Sequence, residues 1–304
     1  LKYSDLSGIV SALPTPVSET FEIDTMRLAR HCEQVLKNGC SFVSTFGTTG
    51  EGASLSSSQK IAALRALKAE GLDMTRHIPA VMTPTADEAG RLIAEARALN
   101  CRAVLVLPPF YYDTAFDEGI VAFIEDALRR AGRADIDILL YNIPRFSRTA
   151  YTPELIDMCI DRFGSAIAGL KDSTGVLENG KMLAQRFPGL SIFTGDDRVL
   201  PGLLESGGAG LIGGMPNVFA RELRETLEAP TAAGTAQLRD DANRRIATVA
   251  DNGDMLAIKA ILAAIYDDPQ WARAIPPLTG LNDIQKTRLF RELAVTGFAP
   301  KRAA

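Results

Sequence analysis

Apolar residues gather in eight short runs across the first two thirds of the chain, at positions 8–13, 41–46, 78–82, 103–107, 136–141, 167–170, 190–193 and 209–212. Runs of this length, bounded by turn residues, are read as buried strands. Between them the apolar positions take a helical period. Across Ser56 to Gly71 they fall at Ile61, Leu64 and Leu67, with Leu72 just beyond, and across Ala86 to Leu99 at Leu92, Ile93, Ala96 and Leu99. The punctuation agrees with this division. Asp24, Ser56, Thr114 and Thr152 stand where helix N-caps belong, Pro153 follows Thr152 at a first-turn position, and Gly39, Gly71 and Gly132 follow helical stretches. Strand and helix alternating eight times over about 225 residues predict an α/β fold of the (β/α)8 TIM-barrel type, with a doubly wound sheet as the alternative for the same rhythm. After Leu227 the pattern changes, and Ala232 to Ala250, Met255 to Tyr266 and Asp283 to Thr296 read as helices without strands between them. The expected organisation is therefore a catalytic barrel over residues 1–228 and a C-terminal helical domain over 229–304. Asp251-Asn252-Gly253-Asp254 and Ala274-Ile275-Pro276-Pro277-Leu278 read as loops rather than flexible linkers, so the helices are expected to pack on the barrel.

Composition narrows the function classes. In 304 residues, 46% hydrophobic, 33 basic side chains face 37 acidic ones without blocks of either sign. That balance gives no electrostatic footprint for nucleic acid or for an anionic membrane. No apolar run approaches a membrane span, and Leu1-Lys2-Tyr3-Ser4-Asp5 lacks the pattern of a signal peptide, so a cytoplasmic location is expected. Cys32, Cys40, Cys101 and Cys159 form no C-x-x-C pair, and His31 and His77 are the two histidines. These six residues read as buried core groups, and neither a metal nor another cofactor is expected.

The candidate chemistry centres on Lys171, a lone cation closing the apolar run Ile167-Ala168-Gly169-Leu170 before Asp172-Ser173-Thr174-Gly175. Strand alternation predicts Ile167, Gly169 and Lys171 on one face, with the missing side chain of Gly169 leaving room beside the amine. An apolar surrounding disfavours a lysine's ammonium form and favours the neutral amine, which can attack a ketone. A lysine at a strand end can equally reach into solvent. The ends of the other expected strands decide between these readings, because barrel catalysis draws on strand C-termini and the loops after them. Those ends carry Phe46-Gly47-Thr48-Thr49-Gly50-Glu51-Gly52, Pro108-Pro109-Phe110-Tyr111-Tyr112 and Tyr141-Asn142-Ile143-Pro144. The glycine-rich segment suits a carboxylate held by Thr48 and Thr49, and a tyrosine can exchange protons with a carbinolamine. It is not a phosphate loop, since no Gly-Lys-Ser/Thr follows and the next lysine is Lys60. Gly208-Ala209-Gly210-Leu211-Ile212-Gly213 fits G-x-G-x-x-G literally, but its glycines run through the expected strand instead of following one into a helix. They are read as clearing the mouth beside Ile212, itself a candidate substrate-binding residue.

Gly47-Thr48-Thr49-Gly50-Glu51, Tyr141-Asn142-Ile143-Pro144 and Gly169-Leu170-Lys171-Asp172-Ser173, in this order and spacing, resemble the dihydrodipicolinate synthase/N-acetylneuraminate lyase family of Schiff-base aldolases over nearly the whole chain. The resemblance implies that Lys171 forms an imine with a 2-oxo acid, that Tyr141 relays protons, and that Thr48 and Thr49, with Gly47, hold the substrate carboxylate. In the synthase branch it implies a relay of Thr48, Tyr141 and a second tyrosine, Tyr111 or by register Tyr112, reaching across a dimer interface. Packing or interface service is the other reading of these two tyrosines. A homo-oligomer, dimer or tetramer, is implied as well. Two departures bear on the substrate. Where the synthases carry an arginine two residues after Tyr-Asn-x-Pro, this chain has Phe146, flanked by Arg145 and Arg148 as replacements or as solvent-facing cations. Where the lyases carry Gly-x-Asp-Glu, it reads Gly195-Asp196-Asp197-Arg198, leaving Asp197 as a hydroxyl acceptor, or Asp196 or Asp197 as a helix cap. The leading expectation is a lyase, aldolase or hydro-lyase, acting on pyruvate or a longer 2-oxo acid. The alternatives are 4-hydroxy-tetrahydrodipicolinate synthase and a non-catalytic 2-oxo acid binder.

Overall fold

All eight apolar runs are strands. The computed structural model describes residues 6–113, 115–132, 135–228 and 235–300. The chain alternates β1 (Gly8–Ala12), α1 (Thr25–Lys37), β2 (Phe42–Ser44), α2 (Ser57–Ala69), β3 (Ala80–Val81), α3 (Ala86–Ala98), β4 (Ala103–Val106) and α4 (Asp117–Arg130). It continues through β5 (Asp137–Asn142), the one-turn α5 (Pro144–Ser147), α6 (Pro153–Phe163), β6 (Ile167–Asp172), α7 (Leu177–Arg186), β7 (Ser191–Thr194), α8 (Leu200–Glu205), β8 (Gly210–Gly213) and α9 (Pro216–Glu228). Three helices follow, α10 (Thr235–Asp251), α11 (Met255–Tyr266) and α12 (Asp283–Val295). The strands are parallel in the order β2-β1-β8-β7-β6-β5-β4-β3. Closure between β2 and β3 rests on Ile78 N–H donating to the Val43 carbonyl and Ala80 N–H to that of Thr45, each at 2.8 Å. This is a (β/α)8 barrel, and the doubly wound alternative falls away because its sheet would stay open.

Local sequence accounts for where the elements begin and end. Asp24 and Thr152 accept from the backbone three residues on, and Ser56 forms a reciprocal capping box with Gln59. Thr114 and Ala232 lie outside the described residues, as does the segment Leu1 to Asp5. Phe46, the last residue of its apolar run and two residues past the end of β2, turns the chain with φ 63°. β5 and β6 extend further than their apolar runs, through Asn142 and Asp172, so Tyr141 and Lys171 are strand residues rather than loop residues.

Period-two burial separates two apolar layers. Val10, Phe42, Ala80, Leu105, Leu139, Phe193 and Ile212 fill the barrel interior, while Ile9, Val43, Val81, Val104, Leu140, Ile192 and Leu211 face the helices. The outer layer runs without a break into the C-terminal helices, taking in Val249, Ile258, Ile261, Leu289 and Leu293. Among the described residues no helix is long and apolar enough to cross a membrane.

Candidate active site

Lys171 and Tyr141 sit opposite each other in register on neighbouring strands β6 and β5. Both point into the barrel, and they are 6% and 1% exposed. The lysine Nζ lies 4.2 Å from the centre of the tyrosine ring, and Tyr141 Oη meets Thr48 Oγ1 at 3.0 Å. The Lys171 amine makes no hydrogen bond to any described residue, in contrast to two other buried lysines. Lys60 Nζ donates to the Met82 carbonyl at 2.9 Å and Lys259 Nζ to that of Arg273 at 2.6 Å. Burial pushes Lys60 down to about 8, against the pull of Glu88.

The route by which β6 aims Lys171 inward differs from simple alternation. The pairing of β5 with β6 slips by one residue between Ile138 and Leu139, so that Ile138 pairs with Ile167 but Leu139 with Gly169. Ala168 is the extra residue of this bulge and turns into the barrel, whereas Ile167 packs outward against the helices. Ile167 therefore does not share a face with Lys171. Nor does Gly169 leave space beside the amine: a Cβ there would collide with the Ser191 carbonyl and lie 2.9 Å from Leu139 Cδ2. The glycine lets β7 approach β6 closely, and that contact fixes the strand carrying the lysine.

Beyond the lysine, the strand ends are clamped. Asn142 Nδ2 donates to Asp172 Oδ1 at 2.9 Å, and Asn142 Oδ1 accepts from the Tyr151 amide at 3.0 Å. Asp172 also accepts from the Thr174 hydroxyl at 2.8 Å and Asn179 Nδ2 at 2.9 Å. The residues immediately after Tyr141 and Lys171 are thus tied to one another across the β5–β6 pair.

The Gly47–Gly52 segment leaves β2 as a tight knot. Gly50 and Gly52 amides donate to the Gly47 carbonyl at 3.1 and 3.0 Å, the Glu51 amide to Thr48 at 3.0 Å, and the Thr15 hydroxyl to the Gly50 carbonyl at 2.7 Å. The Thr48 and Thr49 amides donate to no described residue, which leaves them available to an anion. Thr49 lies against Gly214, just past β8, where Ile258 of α11 also packs. Glu51, with φ 54°, turns its side chain away from the mouth into a buried ion pair with Lys259. Burial lowers the Lys259 pKa and the Glu51 charge opposes that shift.

The mouth loops are far more open. Tyr111 is 85% exposed, holds φ 97° and packs edge-on against the exposed Tyr112, so within one chain it does not join Tyr141 and Thr48. Phe146 is 52% exposed, with the Arg145 guanidinium 4.6 Å from its ring centre. Asp254, at the start of α11, has its pKa raised by desolvation against the attraction of Arg145 and Lys171. Arg148, also exposed, ends α5 at φ 62°. Asp196 is the residue that caps the turn after β7, accepting from the Arg198 amide at 3.0 Å. Asp197 is buried, its Oδ1 has no partner among the described residues, and desolvation pushes its carboxyl up to about 7. It lines a cavity of about 330 Å³ with Leu223, Asn243 and Ile246. Ile212 is wholly buried among the inward residues of the barrel.

The remaining reactive side chains are inert by burial. His31, bonded to Tyr266 and Asn217, and His77, bonded to Thr45, are both pushed down to about 4 by desolvation. All four cysteines are buried and their thiols raised. No group of three or more His, Cys, Asp or Glu among the described residues could hold a metal ion.

Residues 5–294 match the model of the dihydrodipicolinate synthetase family. The chain belongs to the dihydrodipicolinate synthetase family. An uncharacterized DapA-like lyase from Chloroflexus aurantiacus is 32% identical over 96% of this chain and 98% of its own length. Among solved structures, dihydrodipicolinate synthase from Agrobacterium tumefaciens superposes with a TM-score of 0.88 at 26% identity, covering 95% of this chain and 99% of that one. A variant of the 2-keto-3-deoxygluconate aldolase of Sulfolobus solfataricus, 18% identical, shares the fold with a TM-score of 0.84 over 95% of both chains. As a member of the dihydrodipicolinate synthetase family the chain is a lyase of the class I aldolase type.

Proposed function

We propose that the protein forms a Schiff base between Lys171 and pyruvate or a longer 2-oxo acid, and acts as an aldolase or hydro-lyase on that acid. The observation that carries this reading is the free Lys171 amine facing Tyr141, whose hydroxyl is already bonded to Thr48. Nζ attacks the keto carbon, and the carbinolamine loses its oxygen as water to give an imine. The protonated imine accepts the electron pair of the bond between C3 and C4, while Tyr141 takes the proton of the C4 hydroxyl and an aldehyde leaves. A proton returns to C3 and hydrolysis restores the lysine. For the hydro-lyase outcome the protonated imine instead loses a proton from C3, and the enamine so formed expels the C4 hydroxyl, protonated as it departs, as water. The free amides of Thr48 and Thr49 suit the substrate carboxylate.

A second reading, condensation of pyruvate with aspartate semialdehyde, is supported by Arg145, an exposed cation on α5 just beyond the β5 end that carries Tyr141 and suited to an incoming carboxylate. The exposed Tyr111, Tyr112 and Phe116 suit cover by a second copy of the chain, in a dimer or tetramer that would bring Tyr111 to a neighbour's Tyr141.

Incubation with pyruvate and borohydride followed by peptide mass spectrometry tests the class. A reduced pyruvyl adduct on Lys171 is expected. Pyruvate binding seen by calorimetry without an adduct would instead identify a non-catalytic binder. Aldehyde release from a panel of 3-deoxy-2-oxo acids, set against turnover of pyruvate with aspartate semialdehyde, separates the two catalytic readings.

A further inference from the structure

Glu51 belongs to the carboxylate loop in sequence, yet its side chain leaves the loop and enters the C-terminal region. One carboxylate oxygen accepts from the Ile275 amide at 2.6 Å, and the other meets Lys259 Nζ of α11. Lys259 donates in turn to the Arg273 carbonyl at 2.6 Å. Both charged side chains are completely buried. From the other side, Ile258 of the same helix packs at Gly214, the point where Thr49 also rests. Two consecutive residues of α11 therefore hold the loop that presents Thr48 and Thr49, one from behind through Glu51 and one from beside through Gly214. Gly52 adds to the fit, since a Cβ there would collide with the Phe46 carbonyl, so the knot has little freedom once Glu51 is fixed.

A fully buried ion pair is a poor device for stability, because desolvating both charges offsets most of their attraction. It is an effective device for fixing one geometry, since each member has lost its water and must keep its partner. We propose that Glu51 and Lys259 are positioning residues, which lock the Thr48–Thr49 loop to α11 and the Arg273–Ile275 segment and thereby set the affinity for the 2-oxo acid carboxylate. This inference rests on the imine reading above and extends it to groups that never touch substrate. By linkage, a carboxylate on Thr48 and Thr49 must in turn steady the Ile275 amide.

The test uses the full chain and measures pyruvate half-saturation of borohydride trapping separately from the trapping rate at saturating pyruvate. In Glu51→Gln/Lys259→Met no buried charge is stranded and the amide oxygen can still accept from Ile275, but the tie to α11 is gone. The expected result is a half-saturation raised about tenfold or more, with the saturated rate changed less than about threefold. Glu51→Gln alone keeps Lys259 and its bond to Arg273 but strands the lysine's charge, so it is expected to raise the half-saturation and also to lower stability in urea unfolding. Unchanged half-saturation in the double variant, with wild type trapping normally, overturns the positioning role and leaves the imine reading intact. No trapping in wild type overturns both. Should the double variant not fold, hydrogen exchange on wild type decides: pyruvate should slow exchange in the peptide spanning 271–278, and an unaltered rate there overturns the proposal.

Discussion

The strand-borne and loop-borne parts of this mouth are built to opposite specifications. On β5 and β6, Tyr141 and Lys171 are buried, in register and clamped from beyond by Asn142 and Asp172. After β4 and β5, Tyr111 and Tyr112 on the loop and Arg145 and Phe146 on the one-turn α5 stand in solvent, and Tyr111 holds a backbone conformation unusual for a bulky side chain. On the proposed reading, the difference teaches that imine formation would be preorganised within one chain, while the parts that would read a second substrate are open and adaptable.

The contrast breaks first at Lys171. Lys171→Ala should abolish trapping and lower turnover at least about a thousandfold, and residual catalysis near wild type would show that the chemistry lies elsewhere. Tyr141→Phe keeps the ring beside the amine but removes the hydroxyl. Turnover should fall about a hundredfold in stopped-flow assays, while equilibrium trapping at Lys171 persists; equal loss of both would place Tyr141 in binding rather than proton transfer. Asp172→Ala tests the clamp. It leaves the Asn142 and Asn179 amides without their acceptor, so unfolding in urea should register a loss of about 1–3 kcal/mol, with slower turnover accompanying it.

How far the sequence alone reveals this molecule follows the same division. The eight strands and the meeting of Lys171, Tyr141 and Thr48 at one end of the barrel are legible because burial with period two and loop chemistry at strand ends are local signals, whereas the roles suggested for the three come from the family resemblance. The bulge at Ala168 is not legible, for it arises from the pairing of β6 with β5 and sends Ile167 outward; nor is the close approach of β7, whose Ser191 carbonyl, with Leu139, takes the space expected beside Gly169. Glu51 and Lys259 are separated by 208 positions, so no spacing links them. Yet Lys259 carries the mark that singles out Lys171, a lone cation in the apolar stretch Met255-Leu256-Ala257-Ile258-Lys259-Ala260-Ile261-Leu262. That mark finds buried lysines; it does not say which are tethered and which are free. Asp196 and Asp197 likewise look equivalent in sequence, and only the turn after β7 makes one the cap and buries the other.

The loop-borne part should respond more mildly. If a neighbour's Tyr111 completes the relay, Tyr111→Phe should lower turnover about tenfold while trapping proceeds normally. Mixing Lys171→Ala subunits with Tyr111→Phe subunits should then recover activity in hybrid assemblies, and no recovery would confine each site to its own chain.

The smallest effect concerns Asp197 and is read in stability rather than rate. Its carboxyl, raised by burial to about 7, keeps its proton in the folded state through pH values at which the unfolded chain has released it. Between about pH 4 and pH 7 the native state therefore binds more protons than the unfolded one, and this residue's contribution to stability falls as pH rises through that interval, then levels off. Asp197→Asn keeps a neutral side chain of similar shape at every pH. The variant should match wild type in urea unfolding near pH 4 and exceed it by an amount that grows toward pH 7 and no further. A parallel pair of pH profiles would mean that the Asp197 carboxyl finds compensation for its charge in the cavity it lines against Leu223 and Ile246, and that its burial does not set its protonation.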